Sequence, residues 1–390
     1  MGSLHPFLFQ VRTKIQFGEG CVRQLGSILR ERGIDSAFII SDNGVKVSGI
    51  LNLLEDNLIE NGIEYDFFTE VEPNPSVKTV HTGASIFKNR TFKSIIAVGG
   101  GSSMDAAKGI AVLASNEGSI LDYAVGSGKE VLNPTPFLIA IPTTAGTGSE
   151  VTRGAVITDV EYQKKVVVRS PYIQMDVALL DPLLTLSKPP MLTASTGMDA
   201  LTHAIEAYIS KNSNPMTDAL SLQAIKMIGS NLIRCFEAPN DVEARGKMLV
   251  ASNLAGMAFV NAGLGIVHSI SHPLGSIYGI PHGLANAIIL PYGMEFNLEF
   301  CKEKLAQVAM ALGVKDISGG TSNLATLAID HIRYLSEQFN IPRSLRDVGV
   351  GLNDVDNLTA AAMEQTTYFF SDPRPITSQD MKQVIQKALL

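Results

Sequence analysis

Residues 263–291 read GLGIVHSISHPLGSIYGIPHGLANAIILP, and this stretch contains three of the seven histidines of the chain, His268, His272 and His282. His268 and His272 are four residues apart, so on a helix they lie on one face, about one turn from each other. His282 follows a turn that contains glycine and proline. The stretch therefore predicts helical structure that presents imidazole groups on one side.

A second pair of ligand-type residues, Asp199 and His203, has the same spacing within residues 193–208, TASTGMDALTHAIEAY. A single histidine on a helix is more often a packed core or surface residue, but two such pairs together favour a metal site. Three imidazoles and one carboxylate suit Fe(II), Zn(II), Mn(II), Co(II) or Ni(II), among which the sequence does not choose. The pattern is not H-E-x-x-H, which disfavours a zinc protease.

Helical periodicity dominates the chain after residues 187–190 (SKPP), and almost no strand signal is found there. We predict helices over residues 198–209, 217–236, 242–271, 284–297, 303–312, 321–339, 355–368 and 380–390. Both ligand pairs belong to this part of the chain. We therefore predict an all-α domain over residues 186–390.

The first half of the chain alternates short apolar strands with helical stretches. We predict strands over residues 11–17, 37–41, 65–69, 94–98, 137–141 and 177–180. We predict helices over residues 22–32, 50–61, 77–89 and 103–114, and a β-ribbon formed by residues 154–159 and 165–169. Repeated βα units with continuous apolar strands indicate a parallel sheet covered on both faces. Residues 1–185 are therefore predicted to form an α/β domain.

A glycine-rich segment, VGGGSSMD at residues 98–105, follows a predicted strand and opens a predicted helix. Glycines let a ligand approach the backbone, and the free N–H groups at a helix start favour an anion. The pattern is not G-x-G-x-x-G, so a standard Rossmann fingerprint is absent. A phosphate site and a plain glycine-rich turn are equally good interpretations.

Three further segments follow strands of the same predicted sheet, at the edge where open α/β sheets bind ligands. Asp42 has two interpretations. Its carboxylate either accepts hydrogen bonds from the ribose diol of NAD, and then repels the 2′-phosphate of NADP, or caps the start of a helix. Asn74 suits either a nucleotide contact or the Pro-Asn-Pro turn in which it lies. Residues 142–150, PTTAGTGSE, form either a ligand-binding loop rich in hydroxyl groups or a plain polar loop. Convergence on one sheet edge favours the nucleotide interpretation of all these segments.

The composition and net charge of the chain restrict its possible partners and its cellular compartment. The chain has 390 residues, 45% of them hydrophobic, and its net charge of −7 argues against nucleic acid or an anionic membrane as a partner. The three cysteines are far apart and form no C-x-x-C, as is typical of free thiols in a reducing compartment. The first residues match neither a signal peptide nor a myristoylation site, and no apolar run is long enough to span a bilayer. We expect a soluble cytoplasmic protein.

Four stretches in combination resemble one known family. They are GGGSSMDAAK, IPTTAGTGSEVT, STGMDALTHAIEAY and GLGIVHSISHPLGSIYGIPHGLANAIILP. In this order they resemble the iron-containing (group III) alcohol dehydrogenase family, and the similarity runs over essentially the whole chain. The resemblance implies a dehydroquinate-synthase-like fold: an N-terminal nucleotide-binding α/β domain, a C-terminal helical domain, and the site in the cleft between them.

The resemblance also implies roles for individual residues. The implied metal ligands are Asp199, His203, His268 and His282. The implied NAD-binding positions are Asp42, Asn74, Gly100, Gly101, Ser102, Thr143, Thr144, Thr147 and Lys165. Lys164 is adjacent to Lys165 and competes for the same role. His272 aligns with a further family histidine, which lies close to the substrate and is not usually counted as a ligand.

The activity implied by the resemblance is hydride transfer between NAD and a small primary alcohol or its aldehyde. The full histidine set favours Fe(II) over Zn(II). His272 is expected either to relay a proton, since imidazole titrates near neutrality, or to pack beside the metal. The few charged residues in the metal-binding segments favour small apolar alcohols over polyols or acids. A homodimer or larger homo-oligomer is expected, in which residues 11–17 pair across a two-fold axis.

Three rival functions are weaker. A lyase similar to dehydroquinate synthase would need several lysines and arginines for a phosphorylated acid, and the segments around Asp199 and His268 contain almost none. Polyol dehydrogenases that resemble glycerol dehydrogenase lack part of the histidine set. A nucleotide-binding protein without enzymatic activity is disfavoured by the intact ligand set. An NAD-dependent alcohol dehydrogenase, the activity that the resemblance implies, is therefore the function we expect.

Overall fold

The computed structural model describes residues 6–162, 164–315 and 319–390. The strands of these residues are β1 (Lys14–Phe17), β2 (Ser36–Ile40), β3 (Glu64–Phe68), β4 (Ser94–Gly99), β5 (Phe137–Pro142), β6 (Gly154–Asp159), β7 (Lys164–Arg169) and β8 (Val177–Leu180). The helices before β8 are α1 (Leu25–Glu31), α2 (Asn43–Val47), α3 (Ile50–Glu60), α4 (Val77–Arg90) and α5 (Gly101–Ser115). The helices after β8 are α6 (Pro190–Ile209), α7 (Pro215–Glu237), α8 (Val242–Ala262), α9 (Ile266–Tyr278), α10 (His282–Asn297), α11 (Lys302–Leu312), α12 (Gly320–Gln338), α13 (Val355–Met363) and α14 (Ser378–Ala388).

The chain divides into two compact units. The α/β unit comprises Arg12–Pro189 and Pro239–Val250. The helical unit comprises the residues up to Val11, Pro190–Ala238 and Ala251–Leu390. Helix α8 therefore contributes its first residues to one unit and its remainder to the other. The expected division of the chain into functional domains at residues 185 and 186 stays a prediction.

The α/β unit is built on a parallel sheet. Within the described residues its strand order is β1-β8-β5-β4-β2-β3, and every neighbouring pair is parallel. All residues of β2 and β4 are buried, which explains their continuous apolar sequences. Strands β6 and β7 pair antiparallel as a separate ribbon. The predicted parallel sheet and the predicted ribbon are both confirmed.

Apolar clusters cover both faces of the sheet. Phe38 on β2 pairs in register with Ile95 on β4, and both pack in a cluster that includes residues of α4 and α5. The next pair, Ile39 and Ile96, packs in a second cluster with residues of α1 and α3. Alternate residues of one strand point to opposite faces, so each strand contributes to two cores. This buried sheet holds the loops at its carboxyl edge in place.

The helix predicted over residues 198–209 begins earlier, at Pro190, and two other predicted helices run past a break in the structure. The helix predicted over residues 242–271 is two helices, α8 and α9, whose axes are bent by 107° at residues 263–265. Gly263 there has a φ of +86°, which L side chains rarely adopt, and apolar periodicity gives no sign of such a break. The helix predicted over residues 355–368 ends at Met363 and is followed by a 3-10 turn, Thr366–Tyr368. Among the described residues no single helix is long and apolar enough to cross a membrane, and the bent pair α8 and α9 meets that test by length and composition only.

Candidate functional site

Three helices of the helical unit bring four ligand-type side chains together. Asp199 and His203 lie one turn apart on α6, His268 lies on α9, and His282 is the first residue of α10. One ligand atom of each lies within 4.8 Å of those of the others. The Nε2 atoms of His203 and His282 are 3.8 and 3.7 Å from Asp199 Oδ1. The structure therefore assembles the four predicted ligands at one place.

Most of this cluster is shielded from water. The side chains of Asp199, His203 and His268 are 2, 5 and 1% exposed, whereas that of His282 is 25% exposed. The His203 ring stacks on Phe259 and on His268, with centroid distances of 4.5 and 4.8 Å. The packing fixes the ring of His203, and the solvent-facing side of the cluster is the side of His282.

Glu206, which sequence reasoning missed, touches one of the four residues directly. Its Oε2 atom is 2.5 Å from Nδ1 of His268, and both side chains are buried. Burial raises the pKa of Glu206 to about 7, while N–H groups at the start of α9 lower it. A hydrogen bond from Nδ1 leaves Nε2 of His268 as the ligand atom. The signal for Glu206 was its position three residues after His203 on the same helix.

Asn286 is a second residue that sequence reasoning missed. Its Nδ2 donates to Asp199 Oδ1 at 2.7 Å and lies 3.2 Å from Nε2 of both His268 and His282. The side chain is fully buried. Asn286 follows His282 by four residues, which is the spacing that identified the two ligand pairs. The same helical periodicity therefore pointed to it.

His272 lies beside the four residues rather than among them. Its ring centroid is 6.2 Å from that of His268 and 5.3 Å from that of His282. The hydroxyl of Tyr368 is 3.3 and 3.4 Å from its two ring nitrogens, and the two rings are nearly perpendicular. Tyr368 was not predicted, because it lies 96 positions after His272 and no local pattern pairs residues at that distance.

The four residues fit a divalent metal ion. Ligand atoms about 2.1 Å from one ion lie at most about 4.2 Å apart, which is close to the spacing of these atoms. Three imidazole nitrogens and a carboxylate oxygen form a donor set suited to Fe(II), Zn(II) and their neighbours. A carboxylate behind a histidine, as Glu206 is behind His268, is a common partner of metal-bound imidazole.

The carboxyl edge of the parallel sheet brings the loops after β4 and β5 together in the α/β unit. A Cβ at Gly100, the N-cap of α5, would lie 3.2 Å from Thr144 Oγ1, and one at Gly101 would lie 2.7 Å from Thr147 Cγ2. Glycine at these positions lets the loop approach the start of α5, where no side chain caps the helix. Thr143 is fully buried, and its Oγ1 has no hydrogen-bond partner among the described residues. These features fit an anionic group of a nucleotide.

Asp42 lies at the same edge and caps a helix. Its Oδ1 accepts a hydrogen bond from the Val45 backbone N–H at 2.9 Å at the start of α2. Its Oδ2 accepts one from the Ser103 hydroxyl at 3.3 Å. The N-cap role is therefore present, and the contact of Asp42 with a ribose stays a prediction.

Asn74 and the two candidate lysines lie near this edge as well. The backbone N–H of Asn74 donates to Ser102 Oγ at 3.2 Å, and its carbonyl accepts from Thr158 Oγ1 at 3.1 Å. Thr158 pairs with Lys165 across the β6–β7 ribbon. Lys165 is half-buried and Lys164 is exposed. The strand register thus places the backbone of Lys165, rather than that of Lys164, opposite Thr158, the residue that contacts Asn74.

Lys108 has no role in the prediction but anchors the loop after β5. Its buried Nζ lies 2.7 to 2.9 Å from four acceptor oxygens, two of Ser149, the hydroxyl of Thr152 and the Gly154 carbonyl. Burial lowers the pKa of Lys108 to about 8, and the Asp105 carboxylate opposes this shift. The lysine ties α5 to the segment that follows the threonine-rich loop.

Comparisons with known proteins agree with this arrangement. The profile described as iron-containing alcohol dehydrogenase matches residues 12–182, and the profile of the C-terminal part of the iron-containing alcohol dehydrogenase family matches residues 193–389. The chain is 41% identical to 1,3-propanediol dehydrogenase of Citrobacter freundii, over 99% of this chain and 100% of the relative. It is 39% identical to NAD-dependent methanol dehydrogenase of Bacillus methanolicus, over 95% of this chain and 97% of the relative.

A solved structure shows the same likeness. The crystal structure of a 1,3-propanediol oxidoreductase superposes with a TM-score of 0.94 at 41% sequence identity. The superposition covers 99% of this chain and 100% of the other. The parallel sheet and the helical part are therefore shared with that protein.

Proposed function

The chain belongs to the iron-containing alcohol dehydrogenase family, and we propose that it interconverts small primary alcohols and their aldehydes with NAD as the hydride carrier. The observation that carries this proposal is the convergence of four ligand-type side chains: Asp199, His203 and His268 are buried, and His282 is partly exposed. The set is complete at every position that the family resemblance implies. The four side chains lie on helices α6, α9 and α10, and side chains on helices are held more precisely than side chains on loops.

The four side chains would hold a divalent iron ion, with Zn(II) or another divalent metal as a substitute. Such a metal would supply a Lewis acid that lowers the pKa of an alcohol hydroxyl, and NAD would supply the acceptor for the hydride of the alcohol carbon. Glu206 holds the ring of His268, and Asn286 holds the carboxylate of Asp199. Burial keeps competing water away from these groups.

We propose that His272 moves the hydroxyl proton of the substrate toward solvent. Its ring lies 5.3 Å from that of His282, which is the solvent-facing member of the cluster. Imidazole exchanges protons near neutral pH. The hydroxyl of Tyr368 lies within 3.4 Å of both ring nitrogens and would orient the ring for this step.

We propose that NAD binds at the carboxyl edge of the parallel sheet. The residues assigned to it are Asp42, Asn74, Gly100, Gly101, Ser102, Thr143, Thr144, Thr147 and Lys165. The close approach of the loops after β4 and β5 and the uncapped start of α5 support the placement of a phosphate group there. The carboxylate of Asp42 would accept hydrogen bonds from the ribose diol and repel a 2′-phosphate.

Small alcohols are the proposed substrate class. The names of two relatives refer to methanol and 1,3-propanediol, both short alcohols. The aromatic ring of Phe259 stacks on His203 beside the proposed metal site, which supplies an apolar wall. Such a wall favours short carbon chains over acids.

We further propose that the protein works as a homo-oligomer in the cytoplasm. Strand β1 lies at the edge of the sheet, and its Ile15 and Phe17 are 37 and 51% exposed. An exposed sheet edge with apolar side chains supports pairing with a second copy. The cysteines of the described residues are free and buried, which supports a reducing compartment.

The substitution H268A tests the proposed function. Removing one ligand should lower alcohol-dependent NADH formation in the presence of Fe(II) at least about 100-fold, because metal binding would fail. NADH binding, measured by fluorescence titration, should stay within about twofold of wild type, because its proposed residues lie in the α/β unit. The control H331A removes a histidine of α12 outside the cluster and should retain activity. Full activity of H268A would contradict the metal assignment.

A further inference from the structure

The start of helix α9 is capped by side chains that are distant in the sequence. Gly265 is the N-cap and offers no side chain to the first free N–H groups of the helix. The backbone N–H of Ile266 donates to Asp372 Oδ2 at 2.8 Å. The N–H of Val267 donates to Glu206 Oε1, also at 2.8 Å. Two buried carboxylates therefore take the place of an ordinary N-cap.

Only one of these carboxylates reaches the cluster of ligands. The second oxygen of Glu206, Oε2, is 2.5 Å from Nδ1 of His268. One rigid group thus holds both the backbone at the start of α9 and the ring of the residue that follows. With Nδ1 as the donor, Nε2 of His268 is available to a metal and faces Asn286, 3.2 Å away.

The glycines before α9 permit this arrangement. A Cβ at Gly265 would overlap Asp372 Oδ2 and would lie 3.2 Å from Glu206 Oε1. A Cβ at Gly263 would lie 2.5 Å from Ser371 Oγ. The backbone therefore approaches Asp372 more closely than a residue with a Cβ would allow, and it leaves little room for a Cβ beside Glu206. The Gly-Leu-Gly sequence that separates α8 from α9 is the feature that lets Glu206 reach the helix and the ring together.

We propose that Glu206 is the positioning residue of the metal site: it fixes the tautomer and the orientation of His268 and thereby sets the affinity for the metal. Asp372 has the narrower role of capping α9, since its carboxylate contacts Ile266, Arg374 and Asn297. This inference rests on the proposed function, because it assumes that His268 is a ligand. It adds to that function the residue that orients the ligand.

The test is a Co(II) titration of metal-free protein, with a competing chromophoric chelator and the visible ligand-field spectrum as readouts. E206Q keeps the size of the side chain and an oxygen for Val267, but its amide cannot serve both partners as the carboxylate does. We expect the Kd for Co(II) to rise about 10- to 100-fold and the spectrum to change. E206D keeps the charge with a shorter reach, and we expect an intermediate Kd.

Two controls separate orientation of the ring from general stability. D372N retains an acceptor for Ile266 and does not touch His268, so its Kd should stay within about threefold of wild type. E337Q makes the same chemical change as E206Q on α12, at a side chain that is 48% exposed, and should leave the Kd unchanged. Circular dichroism and the thermal midpoint of each metal-free variant report folding separately.

The outcomes distinguish this inference from the proposed function. Wild-type Kd and spectrum in folded E206Q or E206D would overturn the positioning role of Glu206 and leave the metal site intact. Equal weakening in D372N and E206Q would also overturn it, because capping alone would then account for the effect. Absence of Co(II) binding by the wild-type protein would overturn the metal site itself.

Discussion

Single side chains of this protein serve two neighbours at once. Glu206 accepts hydrogen bonds at the backbone of Val267 and at the ring of His268. Asp42 caps α2 through Val45 and accepts a second hydrogen bond from Ser103. A substitution to alanine would remove both contacts together. An informative substitution keeps one contact and removes the other.

Asp42 allows such a substitution for cofactor choice. D42N keeps the N-cap, because asparagine caps helices about as well as aspartate, and it removes the charge that would repel a 2′-phosphate. We expect the ratio of kcat/KM with NADP to kcat/KM with NAD to rise about tenfold, which corresponds to about 1.4 kcal/mol. Steady-state kinetics with both cofactors measure this ratio.

The control for this prediction is D56N, which removes an exposed carboxylate on α3 of the same unit. It should leave the cofactor ratio unchanged. D42G, which also removes the cap, should shift the ratio in the same direction at a stability cost of only a few tenths of a kcal/mol. An unchanged ratio in both D42N and D42G would remove Asp42 from the nucleotide site.

Helices α8 and α9 show how the ends of elements place functional residues. A continuous helix over residues 242–271 would have carried His268 along the axis of α8. The break at residues 263–265 turns the chain by 107° instead. The new helix start is then close to Glu206 and Asp372, which bind its free N–H groups. The point at which α8 ends therefore sets the position of the His268 ring on α9.

The loss of stability on replacing Gly263, which lies at this break, can be predicted by comparison with a second glycine, Gly313. Gly263 and Gly313 have φ angles of +86° and +89°, so alanine at either position should cost about 1–2 kcal/mol in backbone strain. A Cβ at Gly263 also meets Ser371 Oγ, whereas no atom of the described residues lies within 4 Å of one at Gly313. We expect G263A to lower the free energy of unfolding by a further 1–3 kcal/mol or so relative to G313A, through overpacking.

Urea unfolding of both metal-free variants measures this difference. The single substitution G313A serves as the control for strain without a contact. Equal stability of the two variants would show that Ser371 moves aside freely and that close packing at residue 263 is unimportant.

At the scale of the whole molecule, the edge strand β1 predicts how two copies of the chain associate. The backbone N–H groups of Lys14 and Gly18 donate toward β8, to Asp176 and Leu180. Because alternate residues of a strand point their N–H groups to opposite sides, that of Ile15 points away from β8. The outer side of β1 therefore offers donors and acceptors to a second copy.

The substitution I15P tests this assembly. Proline removes an outward N–H group and leaves the hydrogen bonds of Lys14 and Gly18 to β8 in place. Light scattering should give at least twice the mass of one chain for wild type and the mass of one chain for I15P. The control K14A changes an exposed side chain of the same strand without changing a backbone donor. A wild-type mass for I15P would contradict pairing through β1.

Much of the architecture follows from local patterns in the sequence. Continuous apolar runs identified the buried strands of the parallel sheet, because both faces of such a sheet are covered. The four-residue spacing placed Asp199 with His203 and His268 with His272, because helical geometry alone makes residues one turn apart neighbours. The same spacing separates Asn286 from His282, but Asn286 was not among the predicted residues. These features depend on distances of a few residues along the chain.

Other features depend on contacts between distant segments, which no local pattern encodes. Asp372 meets the start of α9 across 106 residues, and Tyr368 meets His272 across 96. Glu206 can both cap α9 and contact His268 because the backbone at Gly265 lies close to its carboxylate. This contact forms only when the chain folds. Amino-acid spacing thus predicted a metal site, and the family resemblance implied its four ligands. The folded chain selected their hydrogen-bonding partners, because those partners are neighbours in space and not in sequence.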